Sequence, residues 1–306
     1  SSKVLPPVEM PKESPENTDA TSAFPGLELP SELKGKYTSI VVSGDSAIIK
    51  LLSFPGHFND SMVNKIVEGI GVENPDAYRI NYKVISEGHA KGETRILAVA
   101  LPETEATNAV RLFPVGIPAP FSLEVAPCAV MTSFINGPCT SYANTAVGLI
   151  DFGDNTSSFT LYYKSVLALV RRFDTGVNTL LAKIQDTLGV DKETAQGIIS
   201  DGSFDISQSV NEIMEPLIKQ MIVSRDFVER RENCHVERIY ISGGMAVSRD
   251  AIEEMRNALG VELATWNPFE NIQTSENAIP ENLKGKEWNF AACIGACIAT
   301  FEETTG

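Results

Sequence analysis

The sequence predicts an α/β protein of two domains, with a small β-α-β-β-α-β module inserted into the first. The 306 residues correspond to about two domains of ordinary size, and 43% of them are hydrophobic, which is enough to form a sizeable core. Strands and helices alternate over residues 47–127, and a second block of apolar strands begins at residue 146. Because each block contains its own strands and helices, we predict one domain for each.

The N-terminal residues 1–34 are rich in Pro, Glu, Ser and Thr. Such a composition buries little apolar surface, so we expect this segment to be extended or partly disordered. Regular structure begins with the β-branched strand 37–44, which opens a first domain predicted over residues 35–145.

The module over residues 47–127 shows a clear alternation of strands and helices. Its first strand ends at Pro55, and either Asn59 or Asp60 is expected to cap the next helix, whose apolar residues recur at helical spacing. The predicted elements are strand 47–54, a helix through residues 61–70, strands 78–86 and 94–101, helix 103–113 and strand 121–127. This order is the split β-α-β pattern of a small α/β module.

The second domain is predicted over residues 146–289 and begins with three strands joined by tight connections. Its predicted elements are strands 146–154, 157–165, 166–173 and 236–244, and helices 177–189, 206–231 and 251–260. Pro216 lies inside the second of these helices, so we expect a kink or a break there. An alanine-rich helix over residues 290–303 follows, within a C-terminal segment 290–306 that is predicted to return to the first domain.

Charge and composition exclude several classes of function. The chain has 25 Lys and Arg against 40 Asp and Glu, a formal net charge of −15, which argues against binding nucleic acid through the phosphate backbone. No apolar run approaches the roughly 18 residues that span a bilayer, so we expect no direct membrane insertion. The N-terminus lacks the apolar core of a signal peptide, and five cysteines without a CxxC pair predict a reducing compartment and no zinc site.

A candidate phosphate site lies where the first strand of the second domain ends. In the sequence GLIDFGDNTSSFTLYY, Gly153 allows a tight turn, and the N–H groups and hydroxyls of Thr156 and Ser157 could then surround a phosphate. Asp151, at the end of the strand, could order a water or a divalent cation against that phosphate. The alternative is an ordinary hairpin, because an Asp-x-Gly turn followed by Thr is common.

A second candidate lies about ninety residues later, in IYISGGMAVSRDAIEEM. Gly243 and Gly244 end a strand and would let the backbone approach a flat ligand at the N-terminus of the next helix. The alternative is again a simple strand-to-helix turn. The two features in this order and at this spacing are much rarer than either one alone.

These two blocks carry a family resemblance. Residues 146–272, with the hairpin above, the following helix and the segment ELATWNPFENI, resemble the PilM proteins of type IV pilus assembly. PilM belongs to the actin-like ATPase superfamily, in which the cell-division protein FtsA is a more distant relative. The resemblance extends over about residues 37–303 and implies an actin-like (ribonuclease H-like) two-domain fold, with the small inserted module and a final helix.

The resemblance also implies positions for a nucleotide and a partner. The residues that fall on the family's second phosphate loop, glycine turn and adenosine loop are Asp151, Gly153, Thr156, Ser157, Gly176, Gly243, Gly244 and Met245. The family fold implies ATP with a magnesium ion, for which Asp151 is the candidate metal residue. It further implies a groove on the first domain for the cytoplasmic tail of an inner-membrane pilus protein, PilN, and contact with other proteins of the inner-membrane pilus platform.

Departures from the family pattern argue against nucleotide binding. The family begins with its own phosphate hairpin, of the form Asp-x-Gly-x-x-x-x-Lys, and no such element precedes residue 37, so we expect that loop to be cut from this chain or lost. The similar stretch 44–50, GDSAIIK, matches the later strand that leads into the inserted module. Asp154 replaces a small residue, which would bring a carboxylate towards a phosphate, and Thr175 replaces the first glycine of a Gly-Gly turn.

Three functions compete at this point. The first is a PilM-like cytoplasmic scaffold, peripheral to the inner membrane, with an actin-like cleft that is degenerate or incomplete. The second is an ATPase, small-molecule kinase or phosphatase of the same superfamily, which would need both phosphate loops and a general base. The third is an FtsA-like filament protein, whose relatives usually end in a basic amphipathic helix, whereas this chain ends in EETTG. The sequence favours the scaffold.

Overall fold

The structure is a computed structural model that describes residues 26–29, 37–89, 92–113, 116, 118–273, 279 and 284–305. Apart from residues 26–29, the predicted extended segment 1–34 therefore lies outside the described residues. The strands are β1 (Tyr37–Val42), β2 (Ile48–Pro55), β3 (Tyr78–His89), β4 (Glu93–Pro102), β5 (Ala119–Val125), β6 (Ala146–Phe152), β7 (Ser157–Tyr163), β8 (Val166–Phe173), β9 (Val236–Gly243) and β10 (Glu262–Thr265). The helices are α1 (Met62–Ile70), α2 (Glu103–Arg111), α3 (Ala126–Ile135), α4 (Val177–Leu188), α5 (Lys192–Asp201), α6 (Ser207–Glu232), α7 (Arg249–Leu259) and α8 (Ala291–Thr305).

The second domain is built on a five-stranded sheet in the order β10-β9-β6-β7-β8. Strand β7 is antiparallel to both of its neighbours, and β9 and β10 run parallel to β6. Counted from β6, this is the order 3-2-1-4-5 with the second strand reversed, which is the ribonuclease H-like arrangement that the sequence predicts. Strand β6 is fully buried except at Asp151, which is half-buried, because apolar side chains cover both faces of the sheet.

The inserted module has the predicted order of elements but a smaller sheet than its four strands suggest. Strands β2, β4 and β3 form an antiparallel sheet, and α1 covers it with Met62, Ile66 and Ile70 buried. Strand β5 lies elsewhere and pairs in parallel with β1. Leu123 and Val125 of β5 share one apolar cluster with Val42 of β1 and with Ile49 and Val99 of the module, so β5 packs against the module without joining its sheet.

The C-terminal helix α8 packs against α3 and contacts β1 and β5. It lies directly against α3, where Gly295 has no room for a side chain because a Cβ there would lie 1.7 Å from the carbonyl oxygen of Ala129. At its other end, Thr300 contacts the hydroxyls of Ser39 in β1 and Ser122 in β5. Strands β1 and β5 and helices α3 and α8 therefore pack together beside the five-stranded sheet.

Helix α6 is continuous from Ser207 to Glu232, although Pro216 lies inside it. Of the two outcomes predicted at Pro216, a kink or a break, the break into two helices is therefore excluded. Met214 and Leu217, on either side of the proline, are both buried in the core of the second domain, while Pro216 itself is exposed. This burial holds the two halves in one helix despite the missing backbone donor. Among all described residues, no helix has both the length and the apolar character that crossing a membrane requires.

Candidate functional site

Glycines bring three loops of the second domain together at the predicted phosphate site. A Cβ on Gly153 would lie 2.8 Å from the carbonyl oxygen of Thr156, across the turn that joins β6 to β7. A Cβ on Gly176 would lie 2.5 Å from the oxygen of Asp154, and one on Gly243 would lie 2.2 Å from the oxygen of Phe152. The residues predicted from two distant motifs thus meet at one end of the sheet.

The β6–β7 turn is fixed onto the N-terminus of α4. The Val177 N–H donates to the carbonyl of Gly153 over 3.0 Å, and the Asn178 N–H donates to the carbonyl of Asp154 over 2.8 Å. These are N–H groups of the first turn of a helix, which have no partner within the helix itself. The hairpin therefore occupies the donors that could otherwise bind an anion at this helix.

The side chains of the same turn converge on Asp45, which lies between β1 and β2. The amide of Asn155 donates to Asp45 Oδ2 over 2.7 Å, and the hydroxyl of Thr156 donates to Asp45 Oδ1 over 3.1 Å. One carboxylate therefore accepts from the hydroxyl of Thr156, which was expected to bind phosphate, and from the neighbouring amide of Asn155. Asp45 belongs to the stretch 44–50, GDSAIIK, which has only a superficial similarity to the first phosphate hairpin of the family.

Arg172, near the end of β8, completes this contact between the two domains. Its guanidinium donates to the backbone oxygens of Asp45 and Ala47, the latter over 2.5 Å, and to the hydroxyl of Thr156 over 3.2 Å. No sequence motif singles out Asp45, Asn155 or Arg172. Nothing in local spacing could have done so, because Asp45 and Asn155 are 110 residues apart in the chain.

Asp151 lies in the sheet beside two serines. In the register of the strands it is opposite Ser158 of β7 and Ser242 of β9. Burial raises the pKa of the Asp151 carboxyl from 3.8 to about 6, and a hydrogen bond with Ser242 opposes part of that rise. The hydroxyl of Ser242 also lies 3.2 Å from the backbone oxygen of Trp288, to which it can donate. Asp151 is thus a carboxyl whose charged form is disfavoured where it lies.

The remaining predicted residues present little side chain to a ligand. The hydroxyl of Ser157 donates to the carbonyl of Thr175. Met245 is fully buried in the core of the second domain, so only its backbone could border a nucleotide. A Cβ on Gly244 would lie 2.8 Å from Val177 Cγ2, so this glycine packs against α4.

These residues do not fit a bound triphosphate with magnesium in the present conformation. The donors of Asn155 and Thr156 are satisfied by the carboxylate of Asp45, and Asp154 lies in the same turn. A phosphate placed there would meet negative charge rather than free donors, which costs free energy at short range.

A second feature is a cavity of about 440 Å³ between the inserted module, the β5–α3 segment and the start of β8. One wall is the sheet face of the module that carries Lys83, Leu97 and Val99, and the other wall includes Leu123 of β5 and Thr132 of α3. Five consecutive residues of β3, 81–85, line this cavity. Because successive side chains of a strand point to opposite faces, the exposed edge of β3 must border the cavity.

Comparison with known proteins gives one family and one close structural likeness. The family described as "Type IV pilus assembly protein PilM" matches residues 119–301, more than half of the chain. No curated protein gives a significant match.

The chain is similar to the solved PilM-PilN type IV pilus biogenesis complex, with a TM-score of 0.75 and 16% identity over 89% of this chain and 82% of that chain. Its likeness to MreB 5 of Spiroplasma citri bound to AMPPNP is weaker, with a TM-score of 0.44 and 11% identity over 66% of this chain and 65% of the other. An archaeal actin homologue gives a TM-score of 0.42 and 15% identity over 89% and 72%. The first likeness and the strand order of the central sheet confirm the predicted fold.

Proposed function

Because the chain belongs to the family of the type IV pilus assembly protein PilM, we propose that it is a scaffold at the cytoplasmic face of the inner membrane. In this proposal it docks the cytoplasmic tail of a PilN-like inner-membrane pilus protein and links it to the other proteins of the pilus platform. The PilM-PilN complex, a solved structure that the chain resembles, supports a partner of this kind.

The observation that carries the proposal is the cavity beside β3. It has apolar walls, including Leu97, Val99 and Leu123, and a polar group at its rim in Lys83. Strand β3 is the outer strand of its sheet, so its edge offers unpaired backbone groups to a peptide in extended conformation. An extended tail that pairs with this edge and places alternate side chains in the cavity would use a recurring mode of peptide recognition.

The charge of the chain suits such a partner. Cytoplasmic segments next to a transmembrane helix carry an excess of Lys and Arg. The scaffold has a net charge of −15, which would attract a basic tail and speed its association. Glu124 lies on the cavity wall contributed by β5, where it could face a basic side chain of the tail.

A catalytic function has less support from the site. The polar groups of the predicted phosphate loop are engaged by Asp45 and by the backbone, so no free donor cluster remains there among the residues described above. We therefore propose that docking of the tail does not require bound nucleotide.

The experiment is calorimetry with a synthetic peptide of the partner's cytoplasmic tail. We expect binding in the micromolar range, a typical affinity for a short peptide that must be ordered on binding. Thr132→Arg places a long charged side chain in the cavity and should weaken binding at least about tenfold. Thr187→Arg makes the same change on the exposed surface of α4 and should leave the affinity unchanged. Equal affinities for both variants would contradict the proposed location.

A further inference from the structure

Asp45 occupies the position in the predicted phosphate cup where donors from the second domain converge. We infer that its carboxylate is an internal anion that closes this cup and that a phosphate group can bind there only after Asp45 is displaced. The inference concerns the cleft between the domains and does not depend on the peptide site at β3.

The contacts of Asp45 continue as a chain of polar side chains into the second domain. Lys192 donates to the amide oxygen of Asn178 over 3.2 Å, and Asn178 donates to the amide oxygen of Asn155 over 2.9 Å. Asn155 in turn donates to Asp45 over 2.7 Å. The amide orientations are thus aligned so that donors of the second domain point towards a negative charge from the first.

A carboxylate is a close chemical substitute for a phosphate in this position. Both present oxygen acceptors with negative charge, and hydrogen bonds to an ionised acceptor are stronger than those between neutral groups. Arg172 also holds the turn through the backbone oxygens of Asp45 and Ala47. The turn is therefore fixed by its backbone as well as by its side chain.

The turn that contains Asp45 lies where the first domain, the inserted module and the second domain meet. Asp45 connects β1 of the first domain to β2 of the inserted module, and its partners Asn155 and Thr156 belong to the second domain. Displacing the carboxylate would release a contact that joins all three parts. A phosphate compound that binds in the cup would therefore replace the side-chain contacts of Asp45, while the bonds from Arg172 to the backbone of the turn and the Arg95–Glu232 pair remain.

A purely structural role for Asp45 makes a different prediction. If Asp45 only stabilises the domain contact, its removal lowers the free energy of unfolding and does not increase affinity for any anion. If it is an internal anion, its removal also frees donors and takes away a negative charge, so affinity for phosphate compounds rises.

The test is calorimetric titration of the full chain with sodium tripolyphosphate and, separately, with ATP and magnesium. We expect Asp45→Ala to bind tripolyphosphate at least about tenfold more tightly than the unmodified protein, because like-charge repulsion at short range is removed. The control Asp76→Ala removes an exposed aspartate from the turn before β3 and should change nothing. Adding Arg172→Ala to Asp45→Ala should abolish the gain, because Arg172 donates into the same cup.

The isosteric Asp45→Asn variant keeps the size of the side chain. If Asp45→Ala does not fold, this variant tests whether the charge of Asp45 excludes phosphate. It should show a smaller gain in the same direction. A gain with both compounds would indicate recognition of the phosphates, and a gain with ATP alone would indicate that the nucleoside contributes. Affinities equal to that of the unmodified protein in both Asp45 variants, or a gain that persists in the Arg172→Ala background, would overturn the inference.

Discussion

At the scale of single residues, the absence of a side chain decides how closely the loops of the cleft approach one another. Gly243 has a φ of +80°, and a Cβ there would lie 2.2 Å from the backbone oxygen of Phe152. Both its conformation and its surroundings therefore require glycine. Gly260 has a similar φ of +63° but no atom within 4 Å of the Cβ position.

Comparing Gly243 with Gly260 separates the cost of backbone strain from the cost of a steric clash. We expect Gly260→Ala to lower the free energy of unfolding by about 1 kcal/mol, the cost of a left-handed alanine. Gly243→Ala should lower it by about 2 kcal/mol more, because strand β6 or β9 must move. Urea unfolding of the two variants measures the difference, and equal losses would show that the loops are not in close contact.

The carboxyl of Asp151 predicts a dependence of stability on pH. Its pKa is raised by burial from 3.8 to about 6, so between these values the folded state binds more protons than the unfolded state. The free energy of unfolding should therefore fall as the pH rises from about 4 to about 6, by about 1–3 kcal/mol from this group. Asp151→Asn lacks this group and should be the more stable protein at pH 7 by a similar amount.

Urea unfolding of both proteins at several pH values checks this, because the difference between them isolates Asp151 from the other acids. A constant difference from pH 4 to pH 7 would contradict the raised pKa.

The sequence was sufficient to find some of these residues and not others. The glycines at the ends of β6 and β9 indicate turns in the sequence itself, so the positions of Gly153, Gly243 and Gly244 could be predicted locally. Asp45 and Arg172 could not be found, because their roles arise only when β1, β2 and β8 are brought together by the fold.

At the scale of elements, an ion pair joins the inserted module to the end of α6. Arg95 of β4 pairs with Glu232, and their side chains are only 8% and 17% exposed. Arg231 adds a second contact to Glu93 over 2.9 Å. Because a buried charge that loses its partner is strongly destabilising, this contact should matter more than those on the surface.

Glu232→Gln tests this contact. We expect it to lower the free energy of unfolding by about 2–4 kcal/mol, because it leaves the guanidinium of Arg95 buried without a counter-charge. Glu215→Gln is the matched control on the same helix, since Glu215 pairs with Lys219 and both are more than half exposed. It should cost less than about 1 kcal/mol. Equal losses of unfolding free energy in urea for the two variants would show that the Arg95–Glu232 pair stabilises the protein no more than the exposed Glu215–Lys219 pair.

Elements with a one-sided apolar pattern were predictable, and elements buried on several sides were not. Helix α1 has its apolar residues on one face and was predicted. Helix α3 was missed because it packs against the sheet and against α8, so its buried residues show no helical period. The pairing of β5 with β1 was missed for another reason, since the order of strands does not determine which sheet each one joins.

At the scale of the whole molecule, two domains and an inserted module leave a cleft and a cavity with different properties. The cleft is closed by polar contacts between Asp45 and the second domain. The cavity beside β3 is open, largely apolar and bordered by an unpaired strand edge. The domain limits at residues 145 and 289 remain predictions. Most residues that line the cavity precede residue 145, and the second block of strands contributes Ser165, Val166 and Leu167. No residue of the β6–β7 turn is among those that line it.

Amide hydrogen exchange, with and without the tail peptide of the partner, tests the docking claim most directly. We expect slower exchange within residues 81–85 of β3, at the N–H groups that neither pair with β4 nor, as at Tyr82, donate to the side chain of Asn81, because these groups become bonded to the peptide. We expect unchanged exchange in the β6–β7 turn at residues 153–156. Protection of the β6–β7 turn without protection of β3, or binding that leaves both unchanged, would contradict the account.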